Sequence, residues 1–320
     1  MADAETLSVL TVTLNAALDV TYSAAHFEWG QTNRVSAHHR RAGGKGVNVA
    51  RVLHQPGVEV TATGMVGGAT GQQILADLAD AHIRACFHEI PQESRRTVVV
   101  SEADGMGTAT SFHESGPTID SQDWDGFLAR YSALVPSYGL VVLSGSLPPG
   151  LPIDAYATLA DVAHAAGPRV ILDTSGPALV AGLLSHPEIV KPNLLELAQA
   201  TDTSLPADSS QFDSVLAAGE SLQRRSTGAV VVSMGPRGLL GLTGEAAWLA
   251  SAPEQAGNAT GAGDAVVAAL AQAELRGLGW PDSLVDAAAM GAASVLDPFA
   301  GNFDPKALED LRATAVVVPL

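Results

Sequence analysis

Cysteine is all but missing from this chain. Cys86 is the only one, so no internal disulfide can form and a reducing, cytoplasmic setting is expected. Lysine is nearly as scarce, with Lys45, Lys191 and Lys306 completing the set. Aromatic residues make up 5% and charged residues 16%, and the acids outnumber the bases so far that the formal net charge is −17. So negative a surface argues against nonspecific nucleic-acid binding, which needs clustered positive charge. It also means that any phosphate site has to be assembled locally, from backbone N–H groups and a few placed cations. No uninterrupted apolar run approaches membrane-spanning length, so no membrane partner is expected. Residues 1–6 are polar and acidic, without a signal-peptide pattern. Repeats and low-complexity tracts are absent as well. What is present is 47% hydrophobic residues over 320 positions, enough for one large α/β domain or two smaller ones.

One stretch concentrates chemistry: Asn258-Ala259-Thr260-Gly261-Ala262-Gly263-Asp264-Ala265-Val266. Glycines stop at a carboxylate, and an Ala/Val-rich run follows to about Gln272, which predicts a loop feeding a helix. The N–H groups of Gly261, Ala262 and Gly263 are expected to point outward, unpaired, at the positive end of the helix dipole. Such a terminus suits an anion, phosphate above all. Asp264 beside it could take a proton from a hydroxyl about to attack a phosphoryl group. The plainer alternative is a glycine turn in which Asp264 is the N-cap.

Leu7 to Leu14 alternates and is rich in Val and Thr, predicting a core strand. Asp19 follows just past its end, where open α/β sheets bind ligands, or else it is simply a turn former. Residues 19–40 lack helical periodicity and predict short strands around a turn near Gly30. In Gly43-Gly44-Lys45-Gly46 the glycines allow close backbone approach to a ligand and Lys45 offers a point charge. A plain glycine turn before a helix is the alternative. It is no Walker loop, since His39 stands at the first glycine position and Gly46 at the Ser/Thr position. Val58–Met65 predicts a strand, with a glycine turn at 67–71 and a helix at about 72–81. Thr97–Ser101 and Thr108–Phe112 flank Asp104-Gly105-Met106-Gly107, a hairpin signal. Arg95 and Arg96 precede it, free to pair with a phosphate or with surface acids.

From about 121 the pattern becomes regular. Helices at 121–134, 152–165, 177–184, 194–201 and 209–226 are interleaved with strands at Leu140–Ser144, Val170–Asp173, Ile189–Val190 and Val230–Met234. Two more strands run to about Leu249, and helices near 281–296 and 305–313 follow the motif helix. Alternating βα units of this kind mean a mostly parallel sheet with helices on both faces.

Taken in order, six stretches resemble the PfkB (ribokinase-like) sugar kinases, within them the branch of 1-phosphofructokinases, minor 6-phosphofructokinases and tagatose-6-phosphate kinases. They are Thr13-Leu14-Asn15-Ala16-Ala17-Leu18-Asp19, Gly43 to Arg51, Ser144-Gly145-Ser146-Leu147-Pro148-Pro149-Gly150, Val190-Lys191-Pro192-Asn193-Leu194-Leu195-Glu196, Val232-Ser233-Met234-Gly235 and Gly261-Ala262-Gly263-Asp264. The resemblance implies a three-layer αβα core (1–18, 41–94 and 114–320) with a mostly parallel sheet. It adds a small β-sheet lid built from two insertions, 19–40 and 95–113. It implies ATP and Mg²⁺ as cofactors, a ketohexose monophosphate as acceptor and a homodimer through the lid. Asp264 would be the base, and the backbone of Gly261, Ala262 and Gly263 the anion hole. Asp19, Gly43, Gly44 and Asn48 would hold the sugar, and Lys45, Arg95 and Arg34 would face the phosphate it already carries. Lys191, Ser233, Gly235 and Gly238 would border the nucleotide, and Asn193 and Glu196 would place Mg²⁺ largely through water. His113 and Ser115 depart from the branch, which usually has Asn and Pro there.

Three other readings compete. A kinase of the same fold could use an unphosphorylated sugar or nucleoside, which Lys45 and Arg95 oppose if they line the pocket. Gly261-Ala262-Gly263 also begins like a dinucleotide fingerprint, but Val266 replaces its third glycine. A non-catalytic sugar-phosphate sensor would have no need of a base such as Asp264.

Overall fold

The computed structural model describes residues 8–24, 27–28, 30–102, 110–205, 212–226 and 228–320. Its strands are β1 (Ser8–Thr13), β2 (Ala17–Ala24), β3 (Val35–Gly43), β4 (Glu59–Gly67), β5 (Arg84–Ala85), β6 (His88–Ile90), β7 (Arg95–Glu102), β8 (Thr110–His113), β9 (Leu140–Ser144), β10 (Arg169–Asp173), β11 (Ile189–Val190), β12 (Ala229–Ser233), β13 (Leu239–Leu242), β14 (Ala247–Ser251) and β15 (Val316–Pro319). The helices are α1 (Lys45–His54), α2 (Gly68–Asp80), α3 (Ser121–Leu134), α4 (Ala155–Ala166), α5 (Gly176–Gly182), α6 (Leu194–Thr201), α7 (Phe212–Ser226), α8 (Ala262–Arg276), α9 (Trp280–Val295) and α10 (Pro305–Thr314).

β1 is buried along its whole length, its small Ser and Thr side chains included, because both faces of the strand are covered. It pairs in parallel with β4 and β9. The main sheet runs β15-β14-β13-β12-β11-β10-β9-β1-β4-β5. Everything from β12 to β5 in that order is parallel, while β13, β14 and β15 add antiparallel at one edge. Val9 packs on one face with α1, α2, α8, α9 and α10. Leu10 and Val12, one step out of phase, pack on the other with α3 to α7. The fold is thus the expected three-layer αβα sandwich. In α8, Asp264 through Ala273 are all buried, and the small side chains let it lie close against α1 and α9. None of the described helices is long and apolar enough to cross a membrane.

A second, four-stranded sheet has the order β3-β2-β7-β8. Two excursions from the core supply it, as the residue pattern suggests, but β2 begins at Ala17 and β3 continues to Gly43. Asp19 therefore lies inside a strand, opposite Arg41 of β3 and Thr97 of β7, and is not a turn former. The Asp104–Gly107 turn and residues 209–211 lie outside the described residues.

Other expectations fail locally. Gly67 to Gly71 is not a turn, because α2 already starts at Gly68. The carboxylate of Glu93 takes the N–H groups of Ala69 (3.1 Å) and Thr70 (2.7 Å), so the cap comes from another part of the chain. β15 is an unforeseen strand laid antiparallel on β14.

Candidate functional site

Parallel strands of one sheet bring their carboxyl ends together, and here the ends of β9, β10, β11 and β12 sit side by side. β10 ends at Asp173, fully buried and level with Ser144 of β9, whose hydroxyl donates to it at 3.0 Å. Lys191, directly after β11, is 3% exposed and places its ammonium 3.1 Å from the same carboxylate. Lys45, the first residue of α1, adds a second ammonium at 3.2 Å and reaches Glu196 at 3.5 Å. Burial by itself would raise the Asp173 pKa, but Lys191 and Lys45 hold it below the usual carboxylate range. Burial likewise works against the Lys45 charge, and Asp173, Glu196 and Asp264 outweigh it and raise its pKa.

Across from this group is the N-terminus of α8. Gly261 is its N-cap, in the left-handed region at φ 86°. Asp264 is thus the third helical residue and not the cap. The amide of Ala262 is not free either, since it donates to Ala259 O at 3.2 Å. Among the described residues no partner takes the N–H of Gly261, Gly263 or Asp264, so the open donor set loses Ala262 from the expected trio and gains Asp264. Asp264 is 6% exposed and accepts a 2.8 Å hydrogen bond from Asn48 Nδ2 of α1. Its pKa is pushed up to about 7, first by burial and then by the Asp173 charge, with Lys45, the Asn48 bond and Lys191 pulling the other way. A Cβ on Gly263 would lie 3.5 Å from Lys191 Nζ, which puts that ammonium next to the helix mouth.

Asn193 and Glu196 form a capping box at the start of α6. Glu196 N donates to Asn193 Oδ1 (2.8 Å) and Asn193 N to Glu196 Oε2 (2.9 Å). One Glu196 oxygen is thereby used by the backbone, and the other is the one that faces Lys45. Ser233 bridges to Asn193, and its N–H donates to Pro192 O at 2.9 Å. Beyond it, Gly235 takes φ 62° and the Gly238 carbonyl accepts from Met234 N. Among the described residues no group of three or more His, Cys, Asp or Glu side chains is arranged to hold a metal.

Asp19 rises from β2 and is hydrogen-bonded by the Thr97 side chain. Burial raises its pKa to about 6 against Thr97, Arg95, Arg41 and Arg51, which lower it. A Cβ on Gly43 would lie 1.9 Å from Asp19 Oδ2, so only glycine fits beside that carboxylate. Gly44, at φ 100°, caps α1 and turns the chain from the small sheet toward Asn48. Arg95 opens β7, donating from Nε to Asn15 O (3.0 Å) and from Nη1 to Glu114 O (3.4 Å). Burial lowers its pKa, opposed by Asp19 and Glu114. Arg34 precedes β3 and is exposed, and among the described residues no contact ties it to the others.

The structure therefore assembles two adjoining groups. Asp264, Asn48, Lys45, Lys191, Asp173 and Glu196 make one, and Asp19, Gly43, Arg95 and Thr97 the other. Lys45 belongs to the first, although the sequence placed it with Arg95 and Arg34. Asp173 was missed. Its signal was available, because an acid at the end of a predicted parallel strand is the feature that singled out Asp19.

Comparison with known proteins agrees with this geometry. A family model described as pfkB family carbohydrate kinase matches residues 12–307. Among solved structures, phosphofructokinase-2 from Escherichia coli in complex with potassium superposes with a TM-score of 0.89 at 27% identity, covering 96% of this chain and 98% of that one. A possible 1-phosphofructokinase from Thermotoga maritima gives 0.86 at 27% identity, over 98% and 99% of the two chains. A putative phosphofructokinase from Staphylococcus aureus gives 0.81 at 28% identity, over 98% and 99%.

Proposed function

This chain belongs to the pfkB family of carbohydrate kinases, and from that premise we propose that it transfers the γ-phosphoryl group of ATP to a hydroxymethyl group of a ketohexose monophosphate. Fructose 1-phosphate, giving fructose 1,6-bisphosphate, is the first acceptor to test, with tagatose 6-phosphate and fructose 6-phosphate beside it. One observation carries the reading: a buried carboxylate with a pKa near 7 at the mouth of a helix where the Gly261, Gly263 and Asp264 amides are open. A general base works best when its pKa is close to the working pH.

Asp264 accepts the proton as the hydroxyl oxygen attacks the phosphorus. Asn48 fixes the carboxylate's orientation through its 2.8 Å bond. The Gly261, Gly263 and Asp264 amides and the helix dipole take up negative charge on the moving phosphoryl group. Lys191 and Lys45 flank the same space, which suits the nucleotide's phosphates and the group in flight. Glu196 keeps one oxygen outside its capping box, and with Asn193 beside it that oxygen fits magnesium held chiefly through water. Magnesium bound there would neutralise phosphate charge. Asp19 would take the sugar hydroxyls, and Arg95 would hold the phosphate already present, with exposed Arg34 within the small sheet's reach. That sheet would act as a lid that excludes water. Val35 and Phe112 on it are 46% and 45% exposed, which supports pairing of two copies through this surface, to be read by sedimentation.

The test is an ATP-coupled assay over ketohexose monophosphates, ribose and adenosine, with the position of the new phosphate read by NMR. Saturation by a ketohexose monophosphate is expected. Turnover confined to ribose or adenosine would move the acceptor class, and no ADP from any of them would favour a sensor.

A further inference from the structure

We infer that Arg41 is a positioning residue that couples the sugar side of the site to the anion hole through the loop 297–303. The inference rests on the kinase reading for its catalytic consequence, though not for its geometry. Arg41 sits on β3 opposite Asp19, and the two charges attract. Its Nη1 leaves the small sheet and donates to Ala300 O at 3.0 Å. Two residues earlier on the same strand, His39 packs against Phe299 with ring centroids 4.2 Å apart and the planes tilted by 30°. β3 thus grips the loop at two consecutive residues.

The loop in turn backs both halves of the catalytic group. A Cβ on Gly261 would come within 2.8 Å of Ala300 Cβ and 3.0 Å of its Cα, so Ala300 is packed directly behind the N-cap of α8. A Cβ on Gly301 would come within 3.1 Å of Asn48 Cα and 3.2 Å of its Oδ1, so Gly301 is packed behind the residue that orients Asp264. Asp297 stiffens the loop from within, taking Phe299 N (2.8 Å) and Asn302 Nδ2 (2.7 Å). Gln55 at the end of α1 holds its far side through Phe303 O at 2.8 Å. A wedge packed this closely transmits displacement, because interiors at crystal-like density have no slack to absorb it. Movement of β3 when a sugar engages Asp19 therefore reaches Gly261 and Asn48 together.

Arg41→Gln and His39→Ala test this, with Arg41→Lys as the conservative control. Hydrogen exchange on the resting protein is the first readout. Both variants should exchange several-fold faster over residues 259–264 and 297–303, with other segments unchanged. The second readout is steady-state kinetics. Arg41→Gln should lower kcat about tenfold, the scale of a small misplacement of reacting groups, while both KM values stay within twofold and Tm holds. Arg41→Lys, which can still donate to Ala300 O, should recover most of kcat. The double variant should be less than additive, since both residues act on one loop. Unchanged exchange over 259–264, or a normal kcat in a folded Arg41→Gln, overturns the inference. If the parent phosphorylates nothing on the panel, the kinase reading falls and the exchange result alone decides the coupling.

Discussion

Replacing Asp264 with Asn separates the carboxylate's chemistry from its cost to the fold. The folded protein holds this proton from an ordinary 3.8 up to about 7, so it binds protons more tightly than the unfolded chain does between those values. Stability therefore falls as pH rises through that window, and above about 7 the full cost of a buried charge is present. Three units correspond to roughly 4 kcal/mol. Water entry and local relaxation around the ionised group bring the observable part to about 1–3 kcal/mol. Asn carries no charge and keeps an oxygen to accept from Asn48, so D264N should be the more stable protein at pH 8. With roughly 2 cal/mol/K of unfolding entropy per residue, the gain amounts to about 2–4 °C in Tm. At pH 4 the difference should disappear. Turnover should fall by about 10²–10⁴-fold, the usual contribution of a general base, with ATP binding retained. Calorimetry across pH and a coupled assay read both. A D264N protein no more stable than its parent at pH 8 would refute the burial argument, and near-normal turnover would remove Asp264 as the base.

On the proposed mechanism Asp264 works as a base only when ionised, so kcat should rise with pH and level off above about 7. The acceptor KM should worsen below about 6 as Asp19 gains its proton, and a flat profile over pH 5–8 would contradict both. Lys191→Met leaves Asp173 buried with Lys45 alone and should cost about 3 kcal/mol in urea unfolding; an unchanged midpoint would show that water compensates the charge. Gly43→Ala drives a methyl into the Asp19 carboxylate, so the acceptor KM should rise at least about tenfold by the steric displacement of a positioned group, with the nucleotide KM unmoved. Asn193→Ala breaks the capping box and should cost about 1 kcal/mol while raising the nucleotide KM, a pairing that an N-cap remote from the nucleotide would not give.

How far the sequence could be read depended on where each cause lies along the chain. Strands β9 to β12 and helices α3, α6 and α9 follow from local apolar patterning and turn residues, and their order alone implies the sandwich. α2 starts early because Glu93, some 25 residues further on, supplies its cap, and no local signal carries that. Lys45 was legible as a placed cation, but its direction was not. That direction is set by Asp173, 128 residues away, through a contact that only the sheet order creates. The glycine motif of α8 was readable down to its third helical residue, yet the fate of the Ala262 amide depends on one carbonyl, Ala259 O, and on a backbone twist at Gly261.

Asp173 gripping two ammoniums has a consequence for what the resting site lets in. With its cations already paired, a lone anion would gain little on arrival, since it would have to compete with a carboxylate fixed in place. A polyphosphate can make that exchange at several points at once. Such an arrangement would work as a valency filter, sorting visitors by how many negative oxygens they bring together.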